Sequence, residues 1–374
     1  MTKALRILFA GGGTGGHVYP AIAVAEEFSR RQPGFEALFV GTRSGVEARA
    51  VPASGYGISF ISSRGLRGRG ASRKILPMAM LLVSVLQSAA IIRRFKPDVV
   101  YGSGGYASVA AVLAGYLLHR TIVLQEQNSV PGLANKWLAP LARRIFLGFE
   151  NAAGYFRDGR KILVTGNPLR RSIIEEAGQD AVGEFGLSPD RQVLLVFGGS
   201  QGAATLNRAA AAYLRERPSL QGIVQTGRGG YEDVIEALRG EEGRVFIAEY
   251  IDDIEKAYAA ADIALARAGA LSVSELAAVG LPAVLVPYPH SVDDHQVINA
   301  RTLVERKGAV MIPDRELDSG SLARVLDPLL ADGSRLDAMR TALEPMKGRR
   351  SAAEVADGII ELMAERRGGE VGAG

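Results

Sequence analysis

Cysteine is absent from the 374 residues, which excludes disulfides and thiolate metal sites and fits a reducing compartment. No Ser-His-Asp pattern for nucleophilic catalysis is recognisable. Ahead of the first glycine cluster stand Lys3, Arg6 and only about four consecutive apolar residues, too few for the apolar core of a secretory signal, so none is expected. Charged residues make up 22% and apolar ones 47%, the proportions of a soluble globular chain. The length exceeds what one ordinary core covers, so two domains are expected.

Glycine is plentiful instead. The 45 glycines cluster after apolar runs, which points to repeated tight loops rather than low complexity. The clearest case is Ala10-Gly11-Gly12-Gly13-Thr14-Gly15-Gly16-His17-Val18-Tyr19-Pro20. It follows the apolar run Leu5–Phe9 and precedes Val18, Ala21, Ile22, Ala25 and Phe28, spaced for one face of a helix. Pro20 falls in the first helical turn, where its missing N–H costs nothing. A strand, bare glycines and a helix start bring backbone N–H groups up to an anion.

Further strands are expected at Ala37–Val40, Ile58–Ile61, Asp98–Tyr101, Thr121–Leu124, Ile145–Leu147 and Ile162–Val164. The pattern then restarts: strand Val193–Phe197, the loop Gly198-Gly199-Ser200-Gln201-Gly202, and a helix over Ala203–Arg215. Strands fit again at Gly222–Gln225, Val245–Ala248, Ile263–Ala266 and Ala283–Val286. Two strand–loop–helix openings predict an α/β fold of two doubly wound, Rossmann-like domains, 1–165 and 166–349, joined near Gly166-Asn167-Pro168. The amphipathic stretch Ser351–Glu365, within 350–367, is expected to form a helix packing back on the first domain.

Residues 1–165 carry 21 basic and 8 acidic side chains, a net +13, while the remainder has 23 against 32, a net −9. A basic front half suits an anionic surface, nucleic acid or phospholipid. Ile75–Ile92 is 18 residues without a charge, the length at which a membrane span must be weighed. Pro77, Ser84, Gln87 and Ser88 interrupt it, and a span would split one sheet between two sides of a membrane. Arg64, Arg67, Arg69, Arg73 and Lys74 crowd the preceding loop. Two readings stay open: a monotopic membrane contact, with charge for headgroups and apolar side chains for the acyl boundary, or a helix buried in the core.

Gly11-x-Gly13-x-x-Gly16 matches a dinucleotide fingerprint, but the carboxylate that should end the second strand is missing from Val40-Gly41-Thr42-Arg43. Nor is the loop a Walker motif, because His17-Val18 stands where Lys-Ser/Thr is required. A lone histidine at a helix start is commonly just solvated. A helix N-terminus, however, disfavours the imidazolium, which suits a general base beside a phosphate.

These residues recur with others in a set order. Gly12-Gly13-Thr14-Gly15-Gly16-His17 is followed by Tyr101-Gly102-Ser103-Gly104-Gly105-Tyr106, Glu126-Gln127-Asn128, Gly166-Asn167-Pro168-Leu169-Arg170 and Gly198-Gly199-Ser200-Gln201-Gly202-Ala203. Then come Tyr250-Ile251-Asp252-Asp253, Arg267-Ala268-Gly269-Ala270-Leu271-Ser272-Val273-Ser274-Glu275 and His295-Gln296. Over nearly its whole length the chain resembles the peptidoglycan glycosyltransferases that add N-acetylglucosamine to undecaprenyl-pyrophosphoryl-N-acetylmuramoyl-pentapeptide (lipid I), forming lipid II. The resemblance implies the GT-B architecture, with a cleft between an acceptor domain and a donor domain. It implies UDP-N-acetylglucosamine and lipid I as substrates and an anionic phospholipid surface on the cytoplasmic face of the plasma membrane. Other cell-wall synthesis proteins are possible partners, and neither nucleic acid nor a cofactor is implied.

On the donor side, the helix Leu271–Val279, stopped by Gly280 and Pro282, offers its N-terminal N–H groups at Ala270, Leu271 and Ser272 to a phosphate, beside Ser200 and Gln201. Glu275 can accept both hydroxyls of a ribose; Ser272-x-x-Glu275 also fits a capping box. The resemblance favours ribose binding, places uracil on the backbone of Ile251, the sugar hydroxyls on Gln296, and a donor phosphate on Arg170. On the acceptor side it leaves His17 and Glu126 as candidate bases, or Glu126 as the group orienting His17, with Thr14, Gly15, Gly16 and Asn128 at the substrate. The family usually has histidine before this glutamate, whereas this chain has Gln125, which puts the wiring of that corner in doubt. Asp252-Asp253 and Asp293-Asp294 read as solvated or capping pairs, with no metal expected.

Overall fold

The computed structural model describes residues 4–62, 72–175, 181–199 and 203–371, with backbone alone at 72–78 and 367–371. Two compact units result: Met1–Arg170 together with Arg350–Gly374, and Arg171–Arg349. The division falls after Arg170 rather than after residue 165, so Arg170 belongs to the first unit.

The first unit holds seven parallel strands: β1 (Arg6–Gly11), β2 (Glu36–Gly41), β3 (Gly57–Phe60), β4 (Val99–Gly104), β5 (Thr121–Glu126), β6 (Arg144–Leu147) and β7 (Ile162–Val164). Their order is β3-β2-β1-β4-β5-β6-β7, so the winding reverses between β1 and β4. Every residue of β4 and β5 is buried, as an apolar run covered on both faces requires. The helix Gly105–Leu117 lies close on β4 through Ala107, Ala111, Ala114 and Gly115; a Cβ at Gly115 would come within 2.8 Å of Val100. The helix Ser351–Val371 returns to this unit, where Val355, Ala356 and Ile359 share a core with Ile22 and Phe28 of the helix Gly15–Arg31. Arg31 pairs with Asp357 at 2.6 Å, and a Cβ at Gly358 would meet the Phe146 ring at 2.8 Å.

The helix Ser72–Phe95 divides the two open readings between its faces. Ser84, Ser88, Ala89 and Ile92 are buried, and the serine hydroxyls are satisfied on the helix itself, Ser84 on Met80 O at 2.8 Å and Ser88 on Ser84 O at 2.8 Å. Leu82 and Leu86, each 61% exposed, and Val83 lie on the other face. Among the described residues no helix is long and apolar enough to cross a membrane. Arg64, Arg67 and Arg69 of the basic loop lie outside the described residues, as does the side chain of Arg73.

The second unit holds six parallel strands: β8 (Val193–Phe197), β9 (Gln221–Gln225), β10 (Val245–Ala248), β11 (Ile263–Ala266), β12 (Ala283–Leu285) and β13 (Ala309–Met311). Their order is β10-β9-β8-β11-β12-β13, with the reversal between β8 and β11. The fold is α/β with two Rossmann-like units. The expected strands form with ends shifted by at most three residues. The edge strand β13 was not expected: it has three residues, and the turn before it rests on Lys307 at φ 64.

Candidate active site

In open parallel sheets, ligands bind beyond the carboxyl ends of the strands where the winding reverses. In the first unit that point is the top of β1 and β4, and both strands end in glycines there. Gly13 has φ 89, Gly104 φ 105 and Gly105 φ 80, backbone that side chains rarely adopt. Close packing demands the same glycines: a Cβ at Gly105 would lie 2.6 Å from the Gly12 carbonyl, and one at Gly104 would lie 2.7 Å from the His17 ring. Ser103 ties the two strand ends together through Ala10 O at 3.4 Å.

Thr14 is the N-cap of the helix Gly15–Arg31 and makes no side-chain cap bond. The first-turn N–H groups of Gly15 and Gly16 have no partner within the helix, as at every helix start. His17, half-buried, places Nδ1 3.1 Å from Gln127 Oε1. Gln127 donates from Nε2 to the carbonyl of Ser103 at 3.0 Å, so its oxygen must face the histidine. His17 therefore donates from Nδ1, and in the neutral imidazole this leaves the lone pair on Nε2; the roles are assigned from this network.

Glu126 makes no hydrogen bond or ion pair with His17. It is 1% exposed, and its carboxylate accepts from Asn128 N–H at 2.9 Å, Gly132 N–H at 3.1 Å and Asn135 Nδ2 at 2.8 Å. The side chain that meets His17 is Gln127, while the Glu126 carboxylate is bonded to the segment after β5. Asn128 also turns its amide to Glu126, at 3.4 Å. Gln127 was present in the motif Glu126-Gln127-Asn128, but only the alternation along β5 and beyond tells which neighbour faces the histidine. Gln125 is fully buried, with the Tyr101 hydroxyl 3.4 Å from its Oε1. Burial pushes the Tyr101 hydroxyl far up from its ordinary value.

Arg170 lies 5.6 Å over the Tyr19 ring. It also holds Glu26 down against the burial that pushes this carboxyl up. Its observed neighbours are thus on the helix that carries His17.

In the second unit the corresponding point is the top of β8 and β11. Gly199 has φ 85; Ser200 and Gln201, expected at a donor phosphate, lie outside the described residues. Arg267, one residue past β11, is 8% exposed and pairs with Asp314 at 2.6 Å. It also donates to Val286 O at 3.2 Å and Thr205 Oγ1 at 2.9 Å, which fixes three loops around the strand ends. Sequence reading quoted Arg267 but gave it no role, because its partners lie 19 to 62 residues away.

The helix Ala270–Val279 starts at an N-cap glycine, Gly269, and stops at left-handed Gly280. Leu271 and Ser272 are therefore inside the first turn, no side chain caps the helix, and the capping-box reading of Ser272 and Glu275 falls. Glu275 is half-buried and accepts from the Tyr258 hydroxyl at 2.8 Å. Ile251 gives its N–H to Gln225 Oε1 at 3.0 Å, which leaves that amide hydrogen engaged. A concavity of about 230 Å³ opens beside it, lined by Phe185, Phe246, Tyr250, Ile251, Asp252 and Lys256. Gln296 accepts from Tyr288 N–H at 2.8 Å, so what it can offer a hydroxyl is its amide donor.

The acidic pairs do not cap. Asp253 makes no cap bond and lies 3.5 Å from Lys256, while Asp293 and Asp294 hold φ 51 and 50. Among the described residues no three metal-ligating side chains converge.

Residues 7–147 match the glycosyltransferase family 28 N-terminal domain, and residues 193–357 its C-terminal domain. A Geobacter metallireducens protein named UDP-N-acetylglucosamine–N-acetylmuramyl-(pentapeptide) pyrophosphoryl-undecaprenol N-acetylglucosamine transferase is 40% identical, over 97% of this chain and 99% of its own. A Chlorobium luteolum protein of the same name is 42% identical, over 96% and 100%. The crystal structure of Acinetobacter baumannii MurG superposes with a TM-score of 0.74 at 27% identity, covering 96% of this chain and 99% of that one. The chain belongs to glycosyltransferase family 28 and, within it, to the UDP-N-acetylglucosamine–N-acetylmuramyl-(pentapeptide) pyrophosphoryl-undecaprenol N-acetylglucosamine transferases.

Proposed function

We propose that this enzyme moves N-acetylglucosamine from UDP-N-acetylglucosamine to the muramoyl 4-hydroxyl of undecaprenyl-pyrophosphoryl-N-acetylmuramoyl-pentapeptide. The observation that supports the chemical part is the His17–Gln127–Ser103 chain: with Nδ1 on Gln127, the neutral imidazole has Nε2 available to take a proton. The reaction is one inverting displacement. The acceptor oxygen gives its proton to His17 Nε2 and forms the bond to the anomeric carbon. The bond from that carbon to the UDP oxygen breaks, and its electron pair leaves with UDP. No enzyme nucleophile is needed.

The first unit takes the acceptor, with its pyrophosphate on the N–H groups of Gly15 and Gly16 beside Thr14. The second unit takes the donor: phosphates at the Ala270–Leu271–Ser272 helix start and the Ser200–Gln201 loop, ribose on Glu275, uracil beside Ile251, sugar hydroxyls on the Gln296 amide. Preorganised N–H dipoles at the leaving phosphate stabilise charge as it develops. Glu275→Ala should raise KM for UDP-N-acetylglucosamine at least about tenfold, the loss of one hydrogen bond to a charged group. UDP, and not NADP, should raise the thermal midpoint of the wild type. An unchanged KM together with protection by NADP would overturn the donor assignment.

The enzyme works peripherally at the cytoplasmic face of the plasma membrane. Leu82, Leu86, Leu117 and Trp137, 61% to 71% exposed and all in the first unit, support an apolar contact with lipid. Leu86→Glu with Trp137→Glu should release the protein from anionic vesicles in a flotation assay; flotation equal to wild type would rule that surface out.

A further inference from the structure

Glu47 is a buried acid that the reaction as written does not use. It opens the short helix Glu47–Ala53 and is 1% exposed. Its Oε2 accepts from Gly13 N–H at 2.9 Å; its Oε1 accepts from Thr42 N–H at 2.8 Å and Thr42 Oγ1 at 2.9 Å. Three glycines make room for it: a Cβ at Gly12, Gly41 or Gly45 would come within 2.3, 2.3 or 2.0 Å of its side chain. The end of β2 is thus held by a carboxylate six residues after Gly41 and five after Thr42. Held by Gly13 and Thr42 and almost without exposure, it clamps the glycine loop to β2 rather than reading a ligand.

The loop it clamps is held on its other side as well. Gly12 lies against Gly105, and the next strand-end glycine, Gly104, lies against the imidazole of His17. From these contacts we infer that Glu47 is a positioning residue for His17: its carboxylate sets the height of the Gly12–Gly13 backbone. That backbone starts the helix whose first turn carries His17 into reach of Gln127. The inference rests on the reading of His17 as the base. Misplacing a reacting group by about 1 Å can cost on the order of a hundredfold in rate.

Glu47→Gln keeps the shape but turns an amide NH2 toward one of the three donors. It should lower kcat about 30-fold, with KM for UDP-N-acetylglucosamine within about twofold, because the donor residues are on the other unit. Glu47→Asp keeps the charge but is too short to span Gly13 and Thr42, and should lose kcat to a similar extent; it serves where Glu47→Gln fails to fold. The deciding readout is a double-mutant cycle with His17→Ala. Either Glu47 variant should cost nothing further once the imidazole is gone. Losses that multiply in the double variant, or single variants with wild-type kcat, would overturn the positioning role. If His17→Ala alone keeps its turnover, the base reading fails first, and the cycle tells the two failures apart.

Discussion

His17→Ala should lower kcat by about 10³-fold, the middle of the range for losing a general base, while UDP-N-acetylglucosamine binding should stay within about twofold of wild type. The separation follows from the fold. His17 is on the helix Gly15–Arg31 of the first unit, and the residues assigned to the nucleotide sugar, Arg170 apart, are on the second. Gln127→Leu, which removes the acceptor at Nδ1, should show a smaller kcat loss of about tenfold, because the imidazole remains but its tautomer and orientation are no longer fixed. Glu126→Gln should act differently again, lowering thermal stability with little selective effect on kcat. Steady-state kinetics of the three variants against both substrates check this. Loss of turnover in Glu126→Gln at unchanged stability, with His17→Ala active, would reverse the assignment.

Arg267→Ala carries the largest expected stability effect. The Arg267 and Asp314 side chains are 10% and 13% exposed and 2.6 Å apart, and Asp314 also accepts from Thr205 at 2.7 Å. Removing the guanidinium leaves a buried carboxylate with a single hydroxyl partner, and breaking such a pair costs about 3–5 kcal/mol. For a unit of this size that lowers the unfolding midpoint by roughly 10 °C. Calorimetry should resolve this as a shift of the second unit's transition, reduced by excess UDP if the donor site survives. Arg267→Lys should recover only part of the loss, since a single ammonium cannot replace a fork that reaches Asp314, Thr205 and Val286 together. A midpoint within about 2 °C of wild type would show the pair to be dispensable.

Much of this architecture was legible because it is local. Apolar runs followed by glycines announced β1 and β8 and their helices, and the period of Val355 and Ile359 announced the returning helix. What failed to show was decided by contacts distant in sequence. Gln127 faces His17 across 110 residues, Glu47 closes the loop 34 residues before it, and Arg267 finds Thr205 across 62. Ser272 and Glu275 matched a capping box by spacing alone; the helix begins two residues earlier, at Ala270, so the motif was coincidental. The surroundings of Glu126 were hidden for a related reason: its carboxylate is occupied by Asn128, Gly132 and Asn135, and spacing alone does not show those bonds.

The measurement that bears most directly on the account is a transfer assay with radiolabelled UDP-N-acetylglucosamine. Anionic vesicles would carry both undecaprenyl-pyrophosphoryl-N-acetylmuramoyl-pentapeptide and diacylglycerol. The predicted result is label on the muramoyl lipid alone, through a β-linkage as inversion requires, and none when His17→Ala replaces the wild type over the same time. Label on diacylglycerol alone, or an α-linked product, would contradict it.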